Sequence, residues 1–359
     1  MRQFSHPLTA PGAFVGGRDV EAVHFGGPER PRALRDLLAQ RIEAVSPGGE
    51  INWLTYYFRD ESLADALVRA HRRGVHVRVC VEGSPRVRHA NRAVIARLSG
   101  SQTGIGPGLR VVQRGLFRHL HEKLFLFSDP CPTALVGSFN PSGREADDPA
   151  MIRRIGDQDR GHNLLVELRG DIVEQLAAHA RALHDERSAV FRHFREEGAS
   201  SMAVGDLQAF LFPRRDNPLV ARLRRITSGG RLRIAASHLR DPSMARLLTA
   251  LAGSGVKVQL LAEATQRRVP GYLERRLVAG GVEFRRYRHP DHLPMHCKFV
   301  LAECSGERWS AFGSFNLTRT SRWLNTELLM MSDNEHLFDA LSALWDAMQA
   351  EMAIHARDA

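Results

Sequence analysis

GGEINWLTYYFRDESLADALVRAHRRGVHVRVCVE, from Gly48 to Glu82, is followed at a constant offset by GGRLRIAASHLRDPSMARLLTALAGSGVKVQLLAE, from Gly229 to Glu263. Gly48, Arg59, Asp60, Gly74, Val75 and Glu82 pair with Gly229, Arg240, Asp241, Gly255, Val256 and Glu263 in one register, without a gap. Self-similarity at a fixed long offset marks a chain built from repeated units. Each copy reads as an apolar strand, an Arg-Asp turn able to cap a helix, an amphipathic helix ended by glycine, and a β-branched strand. Leu63, Ala66, Leu67 and Ala70 fall on one helical face in the first copy, as Met244, Leu247, Leu248 and Leu251 do in the second. The repeated unit is therefore βαβ.

Further strands are expected after each unit: LRVVQR, EKLFLF, TALVGS and NLLVEL in the first half, and VEFRRY, CKFVLA, WSAFGS and NTELLMM in the second. Helices near Asp171–His184 and Glu335–Met352 close the halves. Between them, roughly His184 to Asp216, the runs REEGASSMAVGD and PRRDNP read as a linker and a fresh start. The expected division is residues 1–200 and 201–359. The expected fold class is α/β, with two duplicated halves, each a mixed sheet flanked by helices. Met1 to Arg30, rich in Gly and Pro, carries no identifiable chemistry and is expected to pack across one half or stay mobile.

A length of 359 residues suits two domains or one large duplicated unit. With 43% hydrophobic and 25% charged residues the chain has a globular composition, which excludes long disorder. Fifty Lys+Arg against 40 Asp+Glu give +10, and this excess favours polyanionic partners, either nucleic acid or an anionic membrane surface. Cys80, Cys131, Cys297 and Cys304 form no CxxC pair, so neither a zinc module nor a disulfide scaffold is indicated. No apolar run reaches about 18 residues, so membrane contact is expected to be peripheral. A cytoplasmic location follows as an expectation, at the inner face of the membrane if lipid is the substrate.

The chemistry sits beyond the βαβ units. From His121 the first half reads HEKLFLFSDPCPTALVGSFN, and from His296 the second reads HCKFVLAECSGERWSAFGSFN. Both are HxK followed by GSxN. In an extended strand alternate side chains share a face, so His121 projects with Lys123, and His296 with Lys298. A hairpin brings Ser138 and Asn140, or Ser314 and Asn316, alongside. Each half-site then offers an imidazole, a fixed cation and polar hydrogen-bonding groups suited to phosphodiester oxygens.

This doubled HxK and GSxN pattern resembles the signature of the phospholipase D superfamily, and nearly the whole chain takes part. GSFNLTRTSRWLNTE, from Gly313 to Glu327, looks particularly similar to the cardiolipin synthase and phosphatidylserine synthase-like bacterial branch, as does HNLLVELRGDIVEQL. The resemblance implies two halves packed with pseudo-two-fold symmetry around one active site, which breaks and remakes phosphodiesters through a phosphohistidine without metal or cofactor. It implies His121 as nucleophile and His296 as general acid, with the reverse assignment open. Lys123, Lys298, Asn140 and Asn316 would hold phosphoryl oxygens, with Ser138 and Ser314 as supporting phosphate contacts or simple hairpin residues.

The chain departs from the family pattern at the acid five residues after each lysine, where Ser128 and Glu303 stand. Asp129 is expected to compensate in the first copy, in a structural role. Glu327 is expected either to fix the tautomer of a catalytic imidazole or to form a surface salt bridge. Its counterpart after Asn163 is read as Leu165, so the halves are chemically unlike. A metal site at His119 and His121, or at His296, Cys297 and Cys304, is disfavoured because Lys takes the next same-face position in each motif. His289 and His292 are expected in a loop, either solvated or lining the site entrance.

Three functions fit this reading. The leading one is transfer or hydrolysis of the phosphodiester of an anionic phospholipid at a membrane surface. The second is a metal-independent nuclease acting on nucleic acid. A third is a catalytically silent phosphate-binding protein, against which the paired histidines argue. Oligomeric state is left open.

Overall fold

In the computed structural model, residues 13–14, 19–113, 118–142, 149–185 and 201–355 are described. The first half contains β1 (Ala13–Phe14), β2 (Val20–Gly26), β3 (Glu50–Thr55), β4 (His76–Glu82), β5 (Leu109–Val112), β6 (Leu124–Phe127), β7 (Thr133–Gly137) and β8 (Asn163–Leu168). They form one sheet in the order β1-β2-β8-β7-β6-β3-β4-β5. The second half contains β9 (Ser201–Val204), β10 (Leu207–Phe212), β11 (Arg231–Ala236), β12 (Lys257–Glu263), β13 (Glu283–Tyr287), β14 (Lys298–Cys304), β15 (Glu307–Gly313) and β16 (Glu327–Ser332). Their order is β13-β12-β11-β14-β15-β16-β10-β9, the same architecture repeated. In each sheet three strands run parallel, β3, β4 and β5 in the first and β11, β12 and β13 in the second, and the other pairings are antiparallel.

The Arg-Asp turns act as the repeat predicts. Asp60 accepts from the N–H of Leu63 at the head of helix Glu61–Arg72, and Asp241 accepts from Ser243 N–H at the head of helix Pro242–Gly253. Such caps contribute about 1 kcal/mol each by satisfying donors left over at a helix start. Gly74 and Gly255 follow these helices with φ of 94° and 90°, a left-handed turn that a Cβ would oppose. Glu82 and Glu263, the last identity of the repeat, also have a matched task. The first accepts from Leu120 N–H at 2.7 Å and the second from Met295 N–H at 3.0 Å, each one residue before a motif histidine.

Three large apolar clusters set the layers. One covers the outer face of the first sheet with helices Ala33–Ala44, Glu61–Arg72 and Arg92–Ser99, and a second covers the outer face of the other sheet. The third joins the halves: Leu54, Leu124 and Leu164 from the first sheet meet Phe299, Phe312 and Leu328 from the second. Helices Asp171–Asp185 and Glu335–His355 contribute Leu176, Leu183, Leu341 and Met348 to the same layer. Each fully buried Leu or Phe contributes about 1.5–3 kcal/mol. That apolar layer holds the two motif regions against one another.

Some elements depart from expectation. Val20–Gly26, in the stretch assigned no role, is strand β2 and pairs antiparallel with β8. The described part of the expected linker is ordered sheet: β9 and β10 pair with each other across Gly205, and β10 pairs with β16. Leu207, Ala209 and Leu211 alternate inward, and this apolar alternation outweighs the flanking Gly and Ser. The expected boundary near Ser200 lies just outside the described residues. Finally, β6 begins at Leu124 rather than Glu122, because the chain before it leaves the sheet to form a bridge between Leu120 and Thr326 of the other half.

Candidate active site

That bridge has a twin. His121 N–H donates to the carbonyl of Thr326 at 2.8 Å, and His296 N–H donates to the carbonyl of His162 at 2.8 Å. Each motif histidine is thus clipped to the opposite half just before the strand that carries its partner. The side chains repeat the exchange. His121 Nδ1–H donates to Glu327 Oε2 at 2.8 Å, across the halves. His296 Nδ1–H donates to Asn163 Oδ1 at 3.1 Å and to the Ser138 carbonyl at 3.0 Å, again across the halves. Since each Nδ1 faces acceptors, each Nε2 is left as the free nitrogen.

The structural counterpart of Glu327 is therefore Asn163, not Leu165. Ser138 N–H donates to the Leu164 carbonyl and Ser314 N–H to the Leu328 carbonyl, which sets the register. The signal was present in the paired runs HNLL and TELL, two residues from the alignment that matched Asn163 with Asn325. Glu327 is fully buried, which excludes the surface salt bridge. Its Oε1 accepts from Ser321 Oγ at 2.7 Å and Asn325 Nδ2 at 3.2 Å, so the carboxylate is held at both oxygens.

The two serine hydroxyls are engaged behind the histidines. Ser314 Oγ donates to Glu327 Oε2 at 2.7 Å and accepts from Leu328 N–H at 3.0 Å, while Ser138 Oγ donates to Asn163 Oδ1 at 3.0 Å and accepts from Leu164 N–H at 3.1 Å. Both hydroxyls are buried and committed to the residues behind the histidines. Ser128 and Glu303 also lie elsewhere: Ser128 Oγ caps Glu50 N–H and donates to Asp129 Oδ2, and Glu303 pairs with Arg233. They brace the distal ends of β6 and β14.

Lys123 and Lys298 are buried, and each Nζ donates to the carbonyl of its motif histidine at 2.6 Å. Burial brings the Lys123 ammonium down to about 7 and Lys298 well below its ordinary range. Burial also lowers His121, to about 4, against the opposing pull of Glu327. His296 is lowered well below 6.5, first by burial, then by Lys298, Arg268 and Lys123. Lys298 acts on His121 and Lys123 on His296, so the two half-sites share one electrostatic field. Burial pushes the Glu327 carboxyl up, but His121, Lys123 and Ser314 together outweigh it and leave it lowered.

His121, His296, Asn140 and Asn316 all line one cavity of about 1220 Å³. Its wall carries Arg86, Arg88, Arg92 and Arg154 from the first half and Arg240, Arg267, Arg268 and Arg319 from the second. Among the described residues no Asp or Glu lines it. Asn316 sits at that wall beside His238, and the two side chains interact. His238, half-buried and lowered well below its ordinary value by desolvation, occupies the place that Tyr57 holds in the other copy, and both reach the wall. Sequence reading passed over Asn163, His238 and the arginines; the repeat register alone pointed to His238. His289 and His292 are absent from this wall, and His289 packs instead against His355 and Glu351. His119 does reach the cavity, beside Glu82.

Residues 41–176 and 223–349 match the family model described as cardiolipin synthase, PLD-like domain. The chain belongs to that family. It is thereby a member of the phosphodiester-active phospholipase D superfamily. Among solved structures, phosphatidylserine synthase of Haemophilus influenzae Rd KW20 is similar over 92% of this chain and 86% of its own, with TM-score 0.65 and 13% identity. Polyphosphate kinase of Porphyromonas gingivalis is similar over 89% of this chain, with TM-score 0.59 and 17% identity. The chain spans about half, 48%, of that kinase. At these identities the likeness is one of fold. No curated protein matches the chain. Among the described residues of this family member, no helix is long and apolar enough to cross a membrane.

Proposed function

We propose that this protein is a phosphohistidine-forming phosphodiesterase or phosphatidyltransferase acting on anionic phospholipid, with His121 as nucleophile and His296 as general acid. The observation that carries the reading is the unlike pair behind the histidines. Glu327 places a carboxylate on His121 Nδ1–H, which makes its Nε2 more basic and offsets the positive charge that develops when it binds phosphorus. Asn163 places a neutral amide on His296, whose imidazolium is consequently the stronger acid.

In the first step His121 Nε2 bonds to phosphorus, the phosphorus–oxygen bond to the leaving group breaks, and the imidazolium of His296 protonates the departing alkoxide. In the second, neutral His296 takes a proton from water or an acceptor alcohol, whose oxygen displaces His121. The low affinity of His296 for protons in the cationic cavity is raised when an anionic phosphodiester enters. Asn140 and Asn316 orient the non-bridging oxygens from the cavity wall, and Lys123 and Lys298, set behind the histidines, add positive charge when protonated.

The family model and the arginine wall support an anionic lipid headgroup. Helix Arg319–Trp323 contributes Arg319 and Ser321 to the wall and exposes Trp323, a side chain suited to a membrane interface. We accordingly place the protein at the cytoplasmic membrane surface as a peripheral enzyme, and divide it into repeats 1–200 and 201–359 because β9, from Ser201, enters the second sheet. A nucleic-acid strand is the second reading, favoured by arginines from both halves in greater number than one phosphodiester requires.

The test is incubation in EDTA with phosphatidylglycerol vesicles and, separately, with single- and double-stranded DNA. Cardiolipin or phosphatidic acid that depends on His121 supports the lipid reading, and DNA fragments support the second. Absence of turnover on either, with His121→Ala indistinguishable from the native chain, would overturn both.

A further inference from the structure

We propose that His289, Glu351 and His355 form a structural site for one divalent transition-metal ion of the zinc type, away from the catalytic cavity. Their ligating atoms lie within 4.8 Å of one another, the one such cluster among the described residues. Glu351 Oε1 is 3.7 Å from His289 Nε2 and 3.8 Å from His355 Nε2. Around zinc, ligand bonds of about 2.0–2.2 Å in a tetrahedron put neighbouring donors roughly 3.4 Å apart, so these pairs need close by only a few tenths of an ångström. Glu351 and His355 are four apart on the final helix and share a face, while His289 comes from the turn after β13.

A second observation points to a ligand. His355 Nε2 is buried without a hydrogen-bond partner, and a metal bond would satisfy it. The carboxylate is already oriented: Tyr287 Oη donates to Glu351 Oε1 at 2.6 Å and His162 Nε2 to Oε2 at 2.7 Å, the kind of outer contact that fixes metal ligands. Two imidazoles select zinc-like ions over magnesium or calcium, which prefer oxygen. One contact must change on binding. Asp291 N–H donates to His289 Nδ1 at 3.1 Å, and coordination through Nε2 puts the proton on Nδ1, so the 289–292 turn shifts.

The site would fasten the final helix to the turn after β13 within the second half, and its carboxylate also holds His162 of the first half, beneath His296. His162, held by Glu351, accepts the His296 N–H through its carbonyl and is followed by Asn163. It takes no part in phosphodiester chemistry.

The test is calorimetric titration of the EDTA-stripped, dialysed full chain with zinc chloride, alongside His289→Ala, His355→Ala and Tyr287→Phe, with the cobalt(II) absorption spectrum as a second readout. The proposal expects one zinc per native chain, a tetrahedral cobalt spectrum, and a zinc-dependent rise in Tm. Affinity should fall more than about 100-fold in the histidine variants and about tenfold in Tyr287→Phe, which leaves the ligands in place. Absence of stoichiometric saturable binding, or equal binding by all the variants, would overturn it. Activity in EDTA is a separate measurement, so failure here leaves the catalytic assignment standing, and the converse.

Discussion

Glu327 Oε2 lies 2.8 Å from Nδ1 of His121, although the residues belong to different halves and stand 206 positions apart. The equivalent place behind His296 is filled by an uncharged amide, that of Asn163. Two sequence-similar histidines thereby acquire different proton chemistry.

Glu327→Gln keeps the hydrogen-bonding shape and removes the charge. We expect kcat to fall on the order of 10²- to 10⁴-fold with little change in KM, as for loss of an orienting carboxylate behind a catalytic imidazole. Steady-state kinetics on whichever substrate is turned over will show it. A kcat within threefold of the native value would contradict the role of the carboxylate.

Asn163→Asp is the reciprocal change. A carboxylate beside His296 favours its imidazolium and raises its pKa. A general acid works below its pKa, so the alkaline limb of kcat/KM should move upward by about one unit. An unmoved limb would mean that His296 is not the acid.

Arg88 and Arg267 are exposed on opposite halves of the cavity wall. One basic residue at an anionic surface contributes about 1 kcal/mol, so alanine at either should raise KM about fivefold and leave kcat nearly unchanged. The effect should shrink as salt rises. Equal KM values at low salt would remove the arginine wall from substrate recognition.

His121 is held at about 4 by burial, below the ordinary 6.5, so the unfolded chain binds the extra proton between those values. Stability from this group is fully present above pH 6.5 and is lost as pH falls toward 4. The loss is on the order of 3 kcal/mol, and His238 and His296 act in the same direction. Urea midpoints should drop across that window, less steeply in His121→Gln. A midpoint independent of pH between 7 and 4.5 would refute it.

The two helix caps should differ in worth. Asp241→Ala loses one cap, about 1 kcal/mol. Asp60 also accepts from Arg35 Nε at 2.5 Å with both groups buried, so Asp60→Ala should cost more, about 2–3 kcal/mol, because the guanidinium keeps only its bond to Asp36. Urea denaturation of the two variants compares them directly, and equal losses would reject the distinction.

Much of this was readable along the chain, because the properties concerned are local. Turn, cap and strand alternation in Gly48–Glu82 depend on residues within a few positions of one another, and so does their repetition at Gly229–Glu263. The spacing of His121 to Lys123 and His296 to Lys298 is equally local, and it led to the family. Strand β2 and the hairpin of β9 and β10 escaped notice, since their partners β8 and β16 are remote and Gly and Ser nearby masked the alternation.

By itself, then, the sequence determined a duplicated α/β chain bearing two phosphate-handling motifs. Tertiary structure alone decided which residue stands behind each histidine, that Ser138 and Ser314 support those residues, and that eight dispersed arginines share one wall. The physical reason is that imidazole chemistry is set by the charge and burial of whatever touches Nδ1. Here those neighbours arrive from the opposite half, across an apolar layer that no local pattern encodes.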